Sequence, residues 1–194
     1  GSRRGEVSRL APRFGAAIGQ VMQTRPDLRI VVPTTPNVTA LVRDLTATWP
    51  VAPIILDPHQ MNAAAYHAVK RSAFRAADLA LAASGTVSLE LAANATPMVI
   101  AYDMNPLSRF LIGRMLKIDT VTLVNLVSDT RAVPECLGAD CTPDAIAAAL
   151  QAVMRDPHAQ QEAMRLTMER LGAGGEAPGL RAAHAILERL PSTN

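Results

Sequence analysis

The tripeptide Ser84-Gly85-Thr86 is the stretch of this sequence best equipped for chemistry. An apolar run of strand length, residues 79–83, follows Asp78 and enters it, and the helix-forming segment 87–93 leaves it. Ser and Thr hydroxyls accept from the orphan N–H groups of a helix start, and glycine lets the backbone turn sharply. A strand, a small-residue turn and a helix N-terminus together make an anion site. Free N–H groups and the positive end of the helix dipole then point the same way. Glu90 follows Thr86 by about one helical turn and shares its face. A carboxylate among Leu89, Leu91, Ala92 and Ala93 is either a solvated residue, the commoner case for glutamate, or an acceptor for ligand hydroxyls. After the break at Thr96-Pro97, residues 98–102 form a second strand and complete a βαβ unit.

The flanking elements follow from periodicity. Val7, Leu10, Ala11, Phe14, Ala17, Ile18, Val21 and Met22 recur at helical spacing, which predicts a long amphipathic helix ending near Arg25-Pro26. Residues 28–32 are almost all apolar, as in a strand buried on both faces. Val38, Leu41, Val42, Leu45 and Trp49 predict a helix stopped by Pro50, and residues 54–56 predict a strand closed by Asp57-Pro58. A further helix runs from Met61 through Arg75 towards Asp78. Beyond Tyr102, Pro106 starts a helix with Leu107, Phe110, Leu111 and Met115, among which stand Arg109, Arg114 and Lys117. That mixture suits contact with an anionic membrane surface or, more commonly, a core helix with snorkelling cations. Residues 121–124 read as a short strand leading to Asn125. Thr142-Pro143 and Asp156-Pro157 are helix starts, the second helix reaching about Leu171. Residues 1–171 thus form one domain. Residues 172–194 hold a Gly-rich break and a final amphipathic helix, free to dock on a missing domain or a second subunit. Alternating strands and helices predict a doubly wound parallel sheet with its ligand beyond the carboxyl ends of the strands.

Composition narrows the function. The chain has 194 residues, enough for one well-packed domain, and 49% hydrophobic content argues against disorder. No apolar run reaches the ~18 residues of a membrane span, and no secretory leader pattern stands in the sequence. A net charge of +2 with 3% aromatic residues offers little to nucleic acid. Cys136 and Cys141 form no CxxC and read as free thiols of a reducing cytosol. The four histidines are scattered without metal-ligand spacing, and GxSxG, Walker A and GxGxxG motifs do not occur. An amphipathic helix that begins almost at Gly1 leaves a doubly wound sheet short of its first strand, which is expected to lie before Gly1.

A resemblance sharpens this reading. Ser84-Gly85-Thr86-x-x-Leu89-Glu90, Thr96-Pro97-Met98-Val99, Tyr102-x-Met104-x-Pro106 and Leu123-x-Asn125-Leu126 resemble, in order and spacing, lipid-A-disaccharide synthase. Gly1-Ser2-Arg3-Arg4-Gly5-Glu6-Val7 resembles the first motif of that family's C-terminal half, and the similarity runs to about Leu190. The resemblance implies the Rossmann-like C-terminal domain of a two-domain GT-B-type glycosyltransferase, with helices on both faces of a parallel sheet. That domain holds the sugar nucleotide, while the acceptor site and catalytic carboxylates belong to the N-terminal domain. No catalytic residue is therefore assigned within this chain.

The family moves 2,3-diacylglucosamine from UDP to 2,3-diacylglucosamine 1-phosphate, without metal or cofactor, at the cytoplasmic face of the inner membrane in Gram-negative bacteria. The implied partners are thus the UDP-sugar donor, a lipid acceptor, the N-terminal domain, the membrane surface and, through the last helix, a second copy. Arg3 and Asn125 match positions the family needs, and Glu90 matches its ribose-binding glutamate. With Ser84, Gly85 and Thr86 they form the expected substrate-binding set: donors for a diphosphate and an acceptor for two ribose hydroxyls. The set lacks a convincing general base. Asp103 stands where the family usually has Arg, Val124 replaces a Pro, and Asp129-Thr130 replaces a Gly-Arg pair, so two cations are missing beside the diphosphate. The alternatives are another UDP-N-acetylglucosamine enzyme of this architecture, such as the 2-epimerase, and a non-catalytic nucleotide-binding module.

Overall fold

The computed structural model describes residues 2–103, 119–176 and 178–189. The first half runs α1 (Arg4–Met22), β1 (Val31–Pro33), α2 (Thr39–Thr46), β2 (Ile54–Leu56), α3 (Ala63–Ala76), β3 (Ala80–Ala82), α4 (Val87–Ala93) and β4 (Met98–Tyr102). The second half adds α5 (Leu123–Ser128), β5 (Glu135–Leu137), α6 (Pro143–Arg155), α7 (His158–Arg170) and α8 (Pro178–Leu187). The helix expected from Pro106 onward lies outside the described residues.

β4 is the centre of the molecule. Met98, Val99, Ile100 and Ala101 are all fully buried, and successive strand side chains point to opposite faces. Val99 and Ala101 therefore join Leu10, Ala17 and Val21 of α1 with Ile146 and Leu150 of α6. Met98 and Ile100 join Leu91 of α4, Val124 of α5 and Met164 of α7 on the other face. The expected helices on both faces of a parallel sheet are present. β3 and β5 flank β4 in parallel register, with Leu81 opposite Val99 and Ala101 opposite Cys136.

β1 and β2 form a separate parallel pair, Val31 opposite Ile54. Val32 and Ile55 face the cluster of Val7, Val38 and Val42 from α1 and α2. The strand predicted at 28–32 is shifted to Val31–Pro33, and its burial on two faces does not hold. Val31 and Ile54 are 41% and 57% exposed, because no described element covers that face. Between the two sheets lies a cavity of about 1540 Å³, walled by Val31 and Val32 on one side, Ala80 and Leu81 on the other, and Leu10 and Phe14 of α1.

The strand predicted at 121–124 is also corrected. Thr122 is extended and α5 begins at Leu123. Val124, Asn125 and Ser128, at helical spacing, are its buried residues. Periodicity cannot decide so short an apolar run. The Glu135 carboxylate does, accepting from the Val121 N–H at 2.9 Å and the Thr122 hydroxyl at 2.5 Å. β5 was not foreseen, since Glu135-Cys136-Leu137 shows no alternation. Thr142 caps α6 as expected, accepting from the Ala145 N–H at 3.3 Å with Pro143 behind it. At the second predicted start, Asp156 Oδ1 accepts from the His158 N–H at 3.1 Å.

α1 and Trp49, just past the end of α2, approach closely because Gly15 has no side chain. A Cβ there would stand 2.5 Å from Trp49 Cδ1, and the indole Nε1 donates to the Ala11 carbonyl at 3.0 Å. Gly15→Ala gains about 0.8–1 kcal/mol in helix propensity. It loses about 1–3 kcal/mol to overpacking, and the indole hydrogen bond as well. A lower Tm is the expected outcome of thermal denaturation. A higher one would mean that the indole swings aside without cost.

Candidate functional site

Arg3, Thr34, Ser84, Gly85, Thr86 and Glu90 all line the cavity between the two sheets. They lie beyond the carboxyl ends of β1 and β3 and at the N-termini of α1 and α4, where a doubly wound sheet binds its ligands. Arg3 is the N-cap residue of α1, extended at φ −103°, and its carbonyl accepts from the N–H groups of Glu6 and Val7. Its side chain is left to the surface. Gly85 has φ +147°, and a Cβ there would touch nothing within 4 Å. The backbone angle, not space, calls for glycine.

The hydroxyl caps expected at this turn are not made. Thr86 is already helical, at φ −64° and ψ −16°, and its side chain makes no capping bond. A cap accepts from N–H groups further along the helix only from an extended backbone. Ser84 Oγ instead donates to the Val121 carbonyl at 3.4 Å, tying the turn to the start of α5. Ser88 Oγ donates to the Gly85 carbonyl at 3.0 Å.

Glu90 has a partner the sequence did not reveal. Lys70 Nζ on α3 donates to Glu90 Oε2 at 2.6 Å and sits 5.3 Å from the centre of the Phe74 ring. Both residues line the cavity. Tyr66, one turn earlier on α3, donates its hydroxyl to the Thr34 carbonyl and fixes the end of β1. Burial pushes its phenol up from the ordinary value. Helical spacing of 66, 70 and 74 could have shown that these three share a face, but not that a lysine there meets Glu90.

Asn125 is not among the cavity-lining residues. It is fully buried; its Nδ2 donates to the Val133 carbonyl at 2.9 Å and to Thr120 Oγ1 at 3.3 Å. Its Oδ1 accepts from the Val133 N–H at 2.9 Å. The amide thus acts as a strand neighbour for residue 133 and sets the approach to β5.

Asp103, Val124 and Asp129, where the resemblance leads one to expect other residues, each have a defined local setting. The buried Asp103 carboxylate pairs with Arg13 of α1 at 2.9 Å, so the end of β4 carries an ion pair. Val124 is fully buried in the core. Asp129 ends α5 at φ 58° and ψ 41°, a left-handed conformation that glycine adopts freely and aspartate tolerates. Elsewhere, Asp57 at the end of β2 accepts from the His59 N–H and Nδ1, each at 2.9 Å, and from Arg43 at 2.8 Å. The His59 backbone N–H, foremost, holds that carboxyl below the usual carboxylate range. Among the described residues no group of three His, Cys, Asp or Glu side chains is placed to hold a metal ion, and no helix is long and apolar enough to cross a membrane.

Parallel strands flanked on both faces, with a small-residue turn at a strand's carboxyl end, make this a Rossmann-like α/β domain of the kind found in GT-B glycosyltransferases. The chain belongs to the lipid-A-disaccharide synthetase family, whose model it matches over residues 1–185. It is 63% identical to a lipid-A-disaccharide synthase of Ruegeria pomeroyi, over 98% of this chain and 48% of that protein. A lipid-A-disaccharide synthase of Rhodospirillum centenum is 43% identical over 96% of the chain and 45% of its own length. One of Paramagnetospirillum magneticum is 39% identical over 97% and 47%. The chain spans about half the length of these curated relatives.

The environment of Asn125 generates a test. Asn125→Asp turns a buried donor into an anion facing the Val133 carbonyl and Thr120. An unsatisfied buried polar group costs about 1–3 kcal/mol, more when charged. The expected result is a Tm lower by several degrees, in line with about 2–4 °C per kcal/mol for a domain of this size. An unchanged Tm with activity lost would put the amide on a ligand instead.

Proposed function

We propose that this chain is the donor-nucleotide half of a lipid-A-disaccharide synthase. The full-length enzyme moves 2,3-diacylglucosamine from UDP to 2,3-diacylglucosamine 1-phosphate and forms lipid A disaccharide 1-phosphate. The observation that carries the reading is the meeting of Arg3, the Ser84-Gly85-Thr86 turn and Glu90 at one cavity beyond the carboxyl ends of β1 and β3. Family membership supplies the chemistry to which that geometry is suited.

In this reading the turn and the Arg3 guanidinium face the diphosphate, and Glu90 accepts from both ribose hydroxyls. Asn125 serves the site at one remove, through residue 133 and the approach to β5. The acceptor lipid and the catalytic carboxylates belong to the N-terminal half, and the enzyme works at the cytoplasmic face of the inner membrane. α8 leaves Leu180, Ile186 and Leu187 exposed, at 55%, 62% and 63%. Such a face favours burial of the 172–194 segment against a second copy in the full-length assembly.

The slot between β1 and β3 takes part in the same reading. Neither strand pairs across it, and an extended segment preceding Gly1 in the longer protein would close one continuous sheet through it. A chain lengthened by about ten native residues, one strand and its turn, is expected to melt higher and to aggregate less, since open strand edges template association. Identical melting and solubility would remove the strand from the slot.

Glu90→Gln in the full-length enzyme tests the ribose assignment. The amide keeps the shape and weakens two charge-assisted bonds, each contributing about 1.5–3 kcal/mol at most. UDP affinity is expected to fall by about one to two orders of magnitude, at about 1.4 kcal/mol per tenfold. 2′,3′-Dideoxy-UDP should bind the wild type weakly and lose little more on mutation. Equal binding of the two ligands by the wild type in calorimetry would return Glu90 to the solvated surface.

A further inference from the structure

We propose that Lys70 is a positioning residue for Glu90, holding its carboxylate in the orientation that receives a vicinal diol. This rests on the assignment of Glu90 to the ribose. The observations are geometric. Lys70 Nζ lies 2.6 Å from Glu90 Oε2 and 5.3 Å from the Phe74 ring centre, and both charged residues line the cavity.

The two partners differ in how firmly they are held. The Lys70 side chain is only 20% exposed, whereas that of Glu90 is 48% exposed. A half-exposed glutamate samples several rotamers. A lysine pinned over an aromatic face does not, because moving its ammonium forfeits both the ring and the carboxylate. Lys70 is therefore the anchor and Glu90 the group that is aimed. An ordinary surface ion pair has two mobile partners and contributes little; this one has a single mobile partner.

The carboxylate keeps its capacity to bind. Each oxygen accepts from more than one direction, so an ion pair at Oε2 leaves Oε1 and the second site on Oε2 for donors. Two neighbouring hydroxyls need two acceptor sites in one plane, and fixing one oxygen fixes that plane. The ligand class that gains from this device is a nucleoside with both ribose hydroxyls. One without them gains nothing.

That difference gives the experiment. In the full-length enzyme, affinities for UDP and 2′,3′-dideoxy-UDP are measured by calorimetry for the wild type, Lys70→Met, Lys70→Gln and Lys70→Arg. In the wild type UDP should bind far more tightly. Lys70→Met and Lys70→Gln are expected to lower the ratio of the two affinities by about threefold to tenfold, almost wholly through weaker UDP binding; tenfold corresponds to about 1.4 kcal/mol. Lys70→Arg, which keeps the cation and the ring contact, should restore most of the ratio. If Lys70→Met fails to fold, Lys70→Gln reads the same loss with a polar tip in place.

The outcomes separate the two assignments. A wild-type ratio that survives in Lys70→Gln overturns the role of Lys70 and leaves Glu90 on the ribose. Equal losses for both ligands put Lys70 on the phosphates and overturn positioning. A wild type that does not distinguish the ligands overturns both assignments together.

Discussion

A strand with no face towards water must have its backbone polar groups paired within the protein. β4 is that strand, and much of the molecule follows from it. β3 and β5 supply its ladder partners. At its first residue Gln160 takes over: Oε1 accepts from the Met98 N–H at 2.8 Å and Nε2 donates to the Met98 carbonyl at 3.0 Å. A glutamine on α7 is thus buried to finish a strand, and α7 is fixed across the sheet by that pair of bonds. The β3–α4–β4 crossover then sets where the Ser84-Gly85-Thr86 turn and Glu90 stand.

The site itself depends on pairs of elements. Glu90 belongs to the seven-residue α4, too short to be stable alone, and its carboxylate is held from α3. Arg3 enters with α1, whose first turn packs Val7 against α2. The ion pair of Arg13 with Asp103 joins α1 to the carboxyl end of β4. At that end of the strand the Asp103 carboxylate is matched by the Arg13 guanidinium.

The sequence made β2, β4 and the long helices legible, because their patterns run long enough to fix a period or end at a proline. The βαβ unit and its turn were legible for the same reason. Two stretches were harder: β5 carries a glutamate that serves the neighbouring loop, and residues 121–124 satisfy strand and helix templates equally. The site was half legible. Gly85 and Glu90 line the cavity towards which their type and spacing point. Asn125 looked like a ligand amide, and its burial against residue 133 depends on a loop whose path no local pattern records. Lys70 was invisible because its meaning comes from a helix some twenty residues on.

α1 touches more of this molecule than its place at the start of the chain suggests. Its first turn lies in the cluster with Val38 and Val42, while Leu10, Ala17 and Val21 lie in the larger core with β4 and α6. Among the described clusters it is the only helix whose buried residues enter both. The β1–β2 layer and the β3–β4–β5 layer therefore share their buried apolar packing through α1, beside the hydrogen bonds α3 makes to Thr34 and Thr96. Loosening α1 would uncouple two folding units that otherwise open together.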